Sequence, residues 1–283
     1  MTYRTFIDLC TDNLAATYPR EEARAIAVRA LCHFENVPQY KYLSDPDTKV
    51  RNEEELTEAA ARLAEGMPLQ YVLGYAEFAG LRIKVNGSVL IPRPETEQLV
   101  GIVIDDLSSV EIDEQQDFNI LDICTGSGCI AYALAAGLPS AQLYGCDISA
   151  DAIRTACKQK VKLEGGRPVF FSADVLAPAP AGLPKFDVIV SNPPYVCEGE
   201  KSAMRSNVLD YEPAIALFVP DDDPLKFYRA IRTWCDSMLR EGGYCYLEIN
   251  EAYGSRTAEL FEGSQVIKDF NGKDRFIRYK KAQ

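Results

Sequence analysis

Apolar residues in the first 73 positions recur at helical spacing. Phe6, Leu9, Cys10 and Leu14 form one stripe, and Ala23, Ile26, Ala27, Ala30 and Leu31 a second within 21–34. Pro38 breaks the second segment. A third segment, over 52–65, opens with Asn52 as cap and Glu53 to Glu55 in its first turn, which suits the positive end of a helix dipole. Gly66 and Pro68 stop it. The pattern predicts a small helical domain over 1–73.

From Tyr75 the period shortens. Residues 78–85 alternate around Gly80 and predict a β-hairpin, with 74–91 as the linker to a second domain. Beyond 89–97 a helical run covers 98–107, an acidic loop spans 111–117, and then strands and helices alternate. The strands are expected over 119–124, 142–146, 168–171, 186–191 and 243–249, and the helices over 129–136, 150–160 and 225–239. Apolar strands separated by helices imply a parallel sheet covered on both faces. The stretches 264–267 and 275–279 close the chain as an antiparallel hairpin, so the second domain is an α/β unit over 92–283.

Composition removes several chemistries. The 283 residues are 47% hydrophobic and 25% charged, ample for a buried core. Thirty Lys and Arg stand against 42 Asp and Glu, a net charge of −12, which repels phosphate backbones and argues against direct nucleic-acid binding. No run of about 18 apolar residues could span a bilayer, and the charged N-terminus lacks the apolar block of a signal peptide. The nine cysteines form no CxxC pair, which argues against a structural zinc site, and their odd count with the lack of an export signal favours reduced thiols in a cytoplasm. His33 is the one histidine, so Ser-His, Cys-His and multi-histidine metal sites are unavailable and no metal is expected.

Two constellations carry chemistry. In Leu121-Asp122-Ile123-Cys124-Thr125-Gly126-Ser127-Gly128-Cys129 a strand enters a glycine turn and then a helix. Gly126 and Gly128 let a ligand approach bare backbone, and the helix N-terminus offers free N–H groups. Asp147 ends the next strand, placed to take ribose hydroxyls. Taken alone the loop is ambiguous, because Gly126-x-Gly128-x-x-Ala131 also satisfies a relaxed dinucleotide fingerprint. In the second, the apolar strand 186–191 delivers Asn192-Pro193-Pro194-Tyr195 at its carboxyl end, where α/β sheets bind ligands. Paired prolines hold the backbone extended. Asn192 Oδ1 and the Pro193 carbonyl can accept the two hydrogens of a planar NH2 group, with Tyr195 packed on its plane. Fixed acceptors of this kind favour the pyramidal nitrogen that forms as it attacks, without a histidine. Arg93, Glu95 and Glu97 fit either a lid over a cofactor or an acidic helix start. Asp221-Asp222-Asp223 fits a solvated loop better than a cation site.

Asn-Pro-Pro-Tyr after such a loop resembles the amino-methylating branch of S-adenosylmethionine-dependent methyltransferases. Further strings narrow the likeness: 66–74 (GMPLQYVLG), 90–97 (LIPRPETE) and 210–217 (DYEPAIAL) resemble the PrmC or HemK family of release factor glutamine methyltransferases. This resemblance covers nearly the whole chain. It implies a class I methyltransferase fold, Rossmann-like, with a mostly parallel seven-stranded sheet and a small N-terminal helical domain for substrate recognition. It implies S-adenosyl-L-methionine as cofactor, S-adenosyl-L-homocysteine as product, and methylation of the N5 amide of the glutamine in the Gly-Gly-Gln motif of class I peptide chain release factors. The implied cofactor contacts are Cys124, Thr125, Gly126, Ser127, Gly128, Asp147, Val175 and Asn192. Asn192, Pro193, Pro194 and Tyr195 are the implied glutamine pocket, with Asn192, Pro193 and Tyr195 taking part in catalysis. A monomer in the cytoplasm is expected. Three departures from the family pattern stand out: Cys124 where the loop usually opens with glycine, Lys158-Gln159-Lys160 where an asparagine is usual, and 219–224 (VPDDDP) where a glycine-containing stretch is usual.

Overall fold

The computed structural model describes residues 1–108 and 117–282; the predicted acidic loop, apart from Asp117, lies outside the described residues. In chain order the helices are α1 (Tyr3–Leu14), α2 (Arg20–Glu35), α3 (Gln39–Ser44), α4 (Glu53–Ala64), α5 (Leu69–Leu73), α6 (Pro94–Ser108), α7 (Cys129–Gly137), α8 (Ala150–Cys157), α9 (Ser206–Tyr211), α10 (Lys226–Met238) and α11 (Gly254–Leu260). The strands are β1 (Tyr75–Phe78), β2 (Leu81–Lys84), β3 (Asn119–Ile123), β4 (Gln142–Asp147), β5 (Val169–Ser172), β6 (Phe186–Ser191), β7 (Val196–Cys197), β8 (Phe218–Val219), β9 (Leu239–Glu248), β10 (Gln265–Lys268) and β11 (Asp274–Lys280). None of these helices is long and apolar enough to cross a membrane.

The chain divides into two units. The first joins Met1–Gly74 to a returning piece, Arg205–Tyr211, which hydrophobic patterning assigns to the α/β part. Thr2 caps α1 in a capping box with Thr5. Phe6, Ile7, Leu14, Ala27, Leu31, Leu56 and Leu63 are buried between its helices. Leu9, although on the predicted stripe, is 53% exposed, because a helix of this length buries a narrower face than its apolar residues occupy. Asn52 stands where a cap was expected but makes no cap bond: its amide donates to the Phe34 carbonyl at 2.5 Å. The fully buried Glu35 carboxylate takes the Arg51 and Asn52 N–H groups, each at 2.9 Å on Oε1. Within the returning piece, Tyr211 donates to the Glu65 carbonyl and Asn207 to the Tyr18 hydroxyl.

The second unit opens with the β1–β2 hairpin, which turns at Ala79 and Gly80, both at positive φ (47° and 75°). That pair of left-handed residues matches the twist of flanking strands. Seven strands then form one sheet in the order β10-β11-β9-β6-β3-β4-β5. β9, β6, β3, β4 and β5 run parallel, and β11 is antiparallel to both of its neighbours. Sheet order, parallel core and covering helices make this the Rossmann-like α/β fold that the resemblance implies. Ile120, Leu121, Ile123, Val188, Ile189 and Val190 are buried completely, which is why these strands read as unbroken apolar runs. Trp234 of α10 is buried beside them, its indole N–H on the Ala177 carbonyl at 2.9 Å.

β3 pairs with β4 on one side and β6 on the other, so the chain reverses direction across the sheet at the carboxyl ends of β3 and β6. Ser191 Oγ donates to the Ile123 carbonyl at 2.6 Å and fastens the two ends together. Such a switch point is where open α/β sheets take ligands.

Candidate active site

Between β3 and α7 the backbone passes through Cys124, Gly126 and Gly128 at φ of 59°, 54° and 80°. Left-handed residues at alternate positions fold the turn back under the N-terminus of α7. The two glycines serve different ends. A Cβ on Gly126 would meet nothing within 4 Å, so its bare backbone borders open space. A Cβ on Gly128 would come to 3.0 Å from Phe170 and 3.2 Å from Ala156, so this glycine is needed for packing. Cys124 holds a conformation that costs a side-chain-bearing residue about 1–2 kcal/mol, which gives the family's usual glycine at this position a physical reason.

Asp147, at the end of β4, clamps the turn. Oδ2 accepts the Gly126 N–H and Oδ1 the Ser149 N–H, both at 2.9 Å. Burial raises its pKa, and these N–H donors oppose the rise. Each oxygen keeps a lone pair for a hydroxyl. Beneath the turn Asp122 accepts Thr125 Oγ1 at 2.5 Å and the Ala131 N–H at 3.3 Å through Oδ2. Its Oδ1 and the Ser127 hydroxyl are buried with no hydrogen-bond partner among the described residues, and burial pushes the Asp122 carboxyl up to about 7. Gln159 occupies the region after α8: its Nε2 donates to the carbonyls of Ser127 and Lys84, and its Oε1 accepts the Lys84 N–H.

A cavity of about 280 Å³ opens over this turn, close to the lower end of the usual ligand-pocket range of roughly 300–1,000 Å³. Its wall includes Cys124, Thr125, Gly126, Ser127, Asp147, Val175, Asn192 and Pro194 of the predicted set. Gly128 is packed under Phe170, and neither Pro193 nor Tyr195 reaches the wall. Ile148 and Leu176, half exposed at 51% and 41%, provide apolar surface beside the Asp147 carboxylate. Unused lone pairs on Asp147, bare backbone at Gly126, apolar flanks and the Ser127 hydroxyl in the cavity wall suit a nucleoside with a polar tail.

The Asn192-Pro193-Pro194-Tyr195 segment leaves β6 on the far side of the cavity. Asn192 Nδ2 donates to Thr96 Oγ1 at 3.0 Å, and Thr96 in turn donates to Glu248 Oε2 at 2.7 Å. Tyr195 donates its hydroxyl to Glu248 Oε1 at 2.8 Å. Burial raises the pKa of both Tyr195 and Glu248, while the two hydroxyl donors pull Glu248 back down. Thr96 also lines the cavity, and Glu248 is 1% exposed at the end of β9.

Thr96 and Glu248 escaped sequence reasoning. Thr96 sits inside the Pro-Glu-Thr-Glu string, whose proline opens α6 four residues before the predicted helix start at 98, as a proline at the first helical position does. Glu95 and Glu97 occupy that first turn. Arg93 joins Glu212 at 2.6 Å, and the same carboxylate takes the Ile91 N–H at 3.0 Å. The third acid of the 221–223 run pairs with Arg229 and the first caps Gly199, so both are bound within the loop.

Residues 106–210 match the family described as Methyltransferase small domain. A release factor glutamine methyltransferase from Bacteroides thetaiotaomicron is 40% identical over 94% of this chain and 95% of its own length. One from Flavobacterium psychrophilum is 39% identical over 94% of each chain. The solved ribosomal protein L11 methylase from Lactobacillus delbrueckii superposes at a TM-score of 0.45 with 18% identity, over 67% of this chain and 80% of its own, too loosely to add to the sheet order itself.

Proposed function

The chain belongs to the release factor glutamine methyltransferase family, and from that premise we infer that it transfers a methyl group from S-adenosyl-L-methionine to the side-chain amide of a release-factor glutamine. The observation that carries this reading is the place of Asn192. It shares one cavity with Asp147 and the glycine turn, its Nδ2 is taken by Thr96, and its Oδ1 makes no hydrogen bond among the described residues.

Bound in the cavity, S-adenosylmethionine supplies a methyl carbon made electrophilic by its sulfonium. Asp147 takes the ribose hydroxyls, the backbone of 124–128 borders the amino-acid end, and Val175 with Leu176 flanks the base. Asn192 Oδ1 and the Pro193 carbonyl accept the two N–H groups of the glutamine carboxamide. Holding both hydrogens in fixed directions draws the nitrogen lone pair out of conjugation and aims it at the methyl carbon; as the N–CH3 bond forms the S–CH3 bond would break, leaving S-adenosyl-L-homocysteine, and the surplus proton on nitrogen would pass to solvent. Tyr195 closes the pocket beside Asn192 and the prolines, its hydroxyl fixed on Glu248. The glutamine is that of the Gly-Gly-Gln motif, and the helical unit recognises the release factor around it. The enzyme is read as a monomer, and the reaction belongs in the cytoplasm where termination occurs.

Labelled S-adenosylmethionine with a class I release factor tests this reading. Label should enter the factor and disappear when its Gly-Gly-Gln glutamine becomes alanine; label that persists in that variant, or that appears only in bare RNA or DNA, overturns it. The net charge of −12 already disfavours a nucleic-acid substrate.

A further inference from the structure

We propose that Glu248 and Thr96 are positioning residues that fix which end of the Asn192 amide faces the substrate. This rests on the reading of the site just given and adds to it a cause for the acceptor's orientation.

The direction of each hydrogen bond in the chain is set by the one before. Glu248 lies fully inside the protein, with Tyr195 Oη at 2.8 Å on one oxygen and Thr96 Oγ1 at 2.7 Å on the other. A carboxylate can only accept, so both hydroxyls must donate. Thr96 has a single hydrogen, and Glu248 takes it. What remains on Thr96 Oγ1 is a lone pair, which Asn192 can satisfy only with its NH2 group, at 3.0 Å. Oδ1 is therefore the end left to face the cavity.

Turning the Asn192 amide over would set its carbonyl against that lone pair, and would force Thr96 to withdraw its proton from a buried carboxylate. Either change leaves a buried polar group unmet, which is the expensive outcome. The orientation matters because a carboxamide NH2 presents two donors. Facing it with the Asn192 NH2 would set donor against donor and remove the fixed acceptor on which alignment of the nitrogen depends. Glu248 thus acts two hydrogen bonds away from Asn192 and three from the reacting nitrogen.

Three variants test the relay: Thr96→Val, which keeps the shape and removes the hydroxyl; Thr96→Ser, which restores it; and Glu248→Gln, which can present either a donor or an acceptor to Thr96. Turnover of a release factor and S-adenosylmethionine binding by calorimetry are measured on each. Thr96→Val should lower kcat by about ten- to a hundredfold, as loss of alignment does. KM for the release factor and Kd for the cofactor should stay within about twofold, and Thr96→Ser should recover kcat to within about threefold. Glu248→Gln should fall between them. Unchanged kcat in Thr96→Val, a loss confined to KM or Kd, or failure of Thr96→Ser to recover each overturns the proposal.

An independent readout is the Asn192 side-chain NH2 pair in spectra of 15N-asparagine-labelled protein, assigned by its loss in Asn192→Asp. The pair should be dispersed and slowly exchanging in the parent and averaged in Thr96→Val; no difference between the two also overturns the proposal. The pair is observed whether or not the protein turns over, so an inactive parent enzyme would refute the substrate reading and leave this test standing.

Discussion

Replacing Arg93 by alanine isolates the contact that holds one wall of the cavity. The Glu212 side chain is 1% exposed and accepts two hydrogen bonds, from Arg93 Nη2 at 2.6 Å and from the Ile91 N–H at 3.0 Å. Removing one partner of a fully buried ion pair costs about 3–5 kcal/mol, because the other charge stays buried. Arg93 is 33% exposed and water can reach the space it leaves, which reduces the expected loss to about 2–3 kcal/mol. For a unit of this size that is a fall in Tm of roughly 5–10 °C. The loop it holds, with Ser88 to Leu90 and Pro92, lines the cavity, so the cofactor Kd should rise as well. Denaturant unfolding of Arg93→Ala, Glu212→Ala and the double variant gives the coupling directly. The double variant should be at least about 1 kcal/mol more stable than the sum of the single losses predicts. Additivity within about 0.5 kcal/mol would refute the coupling.

Asn192→Ala should cut kcat by roughly a hundredfold or more while calorimetry shows cofactor binding largely kept. The two glycines should separate by assay: Gly126→Ala should weaken cofactor binding with a stability loss of only about 1 kcal/mol from its φ of 54°, whereas Gly128→Ala should destabilise the fold further because its Cβ meets Phe170, as thermal unfolding would show. Asp122 makes stability depend on pH with a definite sign. Its carboxyl is near 4 when unfolded and about 7 when folded, so the folded state binds the extra proton and stability falls as pH rises from about 4 to 7. Unfolding measured across that range should show a flatter slope in Asp122→Asn; an unchanged slope would assign the dependence to another group.

The parts legible in the sequence were those fixed by neighbours along the chain. Buried parallel strands announce themselves as unbroken apolar runs such as 186–191, and the glycine turn and Asn-Pro-Pro-Tyr carry their chemistry within a few residues. Helix α3 is invisible to patterning because none of its residues is buried, so it has no apolar stripe to read. Helix α11 is hidden for a similar reason, burying only Gly254 and Thr257. The Asn192–Thr96–Glu248 chain was illegible on other grounds. Its members lie 96 and 152 positions apart, and a threonine between two glutamates looks like any helix start until β6 and β9 bring their ends together. The same separation hides the role of Tyr195: its hydroxyl is unassigned in the linear string, and Glu248 claims it in the fold.

Because the helical unit takes back Arg205–Tyr211, the polypeptide passes between the two units three times, after Gly74, Met204 and Tyr211. An appendage joined by a single tether can be clipped off or swapped at one cut; this one is sewn in. Its last crossing ends one peptide bond from Glu212, the buried partner of Arg93 within the second unit, so two cuts rather than one would be needed to free the piece 205–211 from the α/β chain.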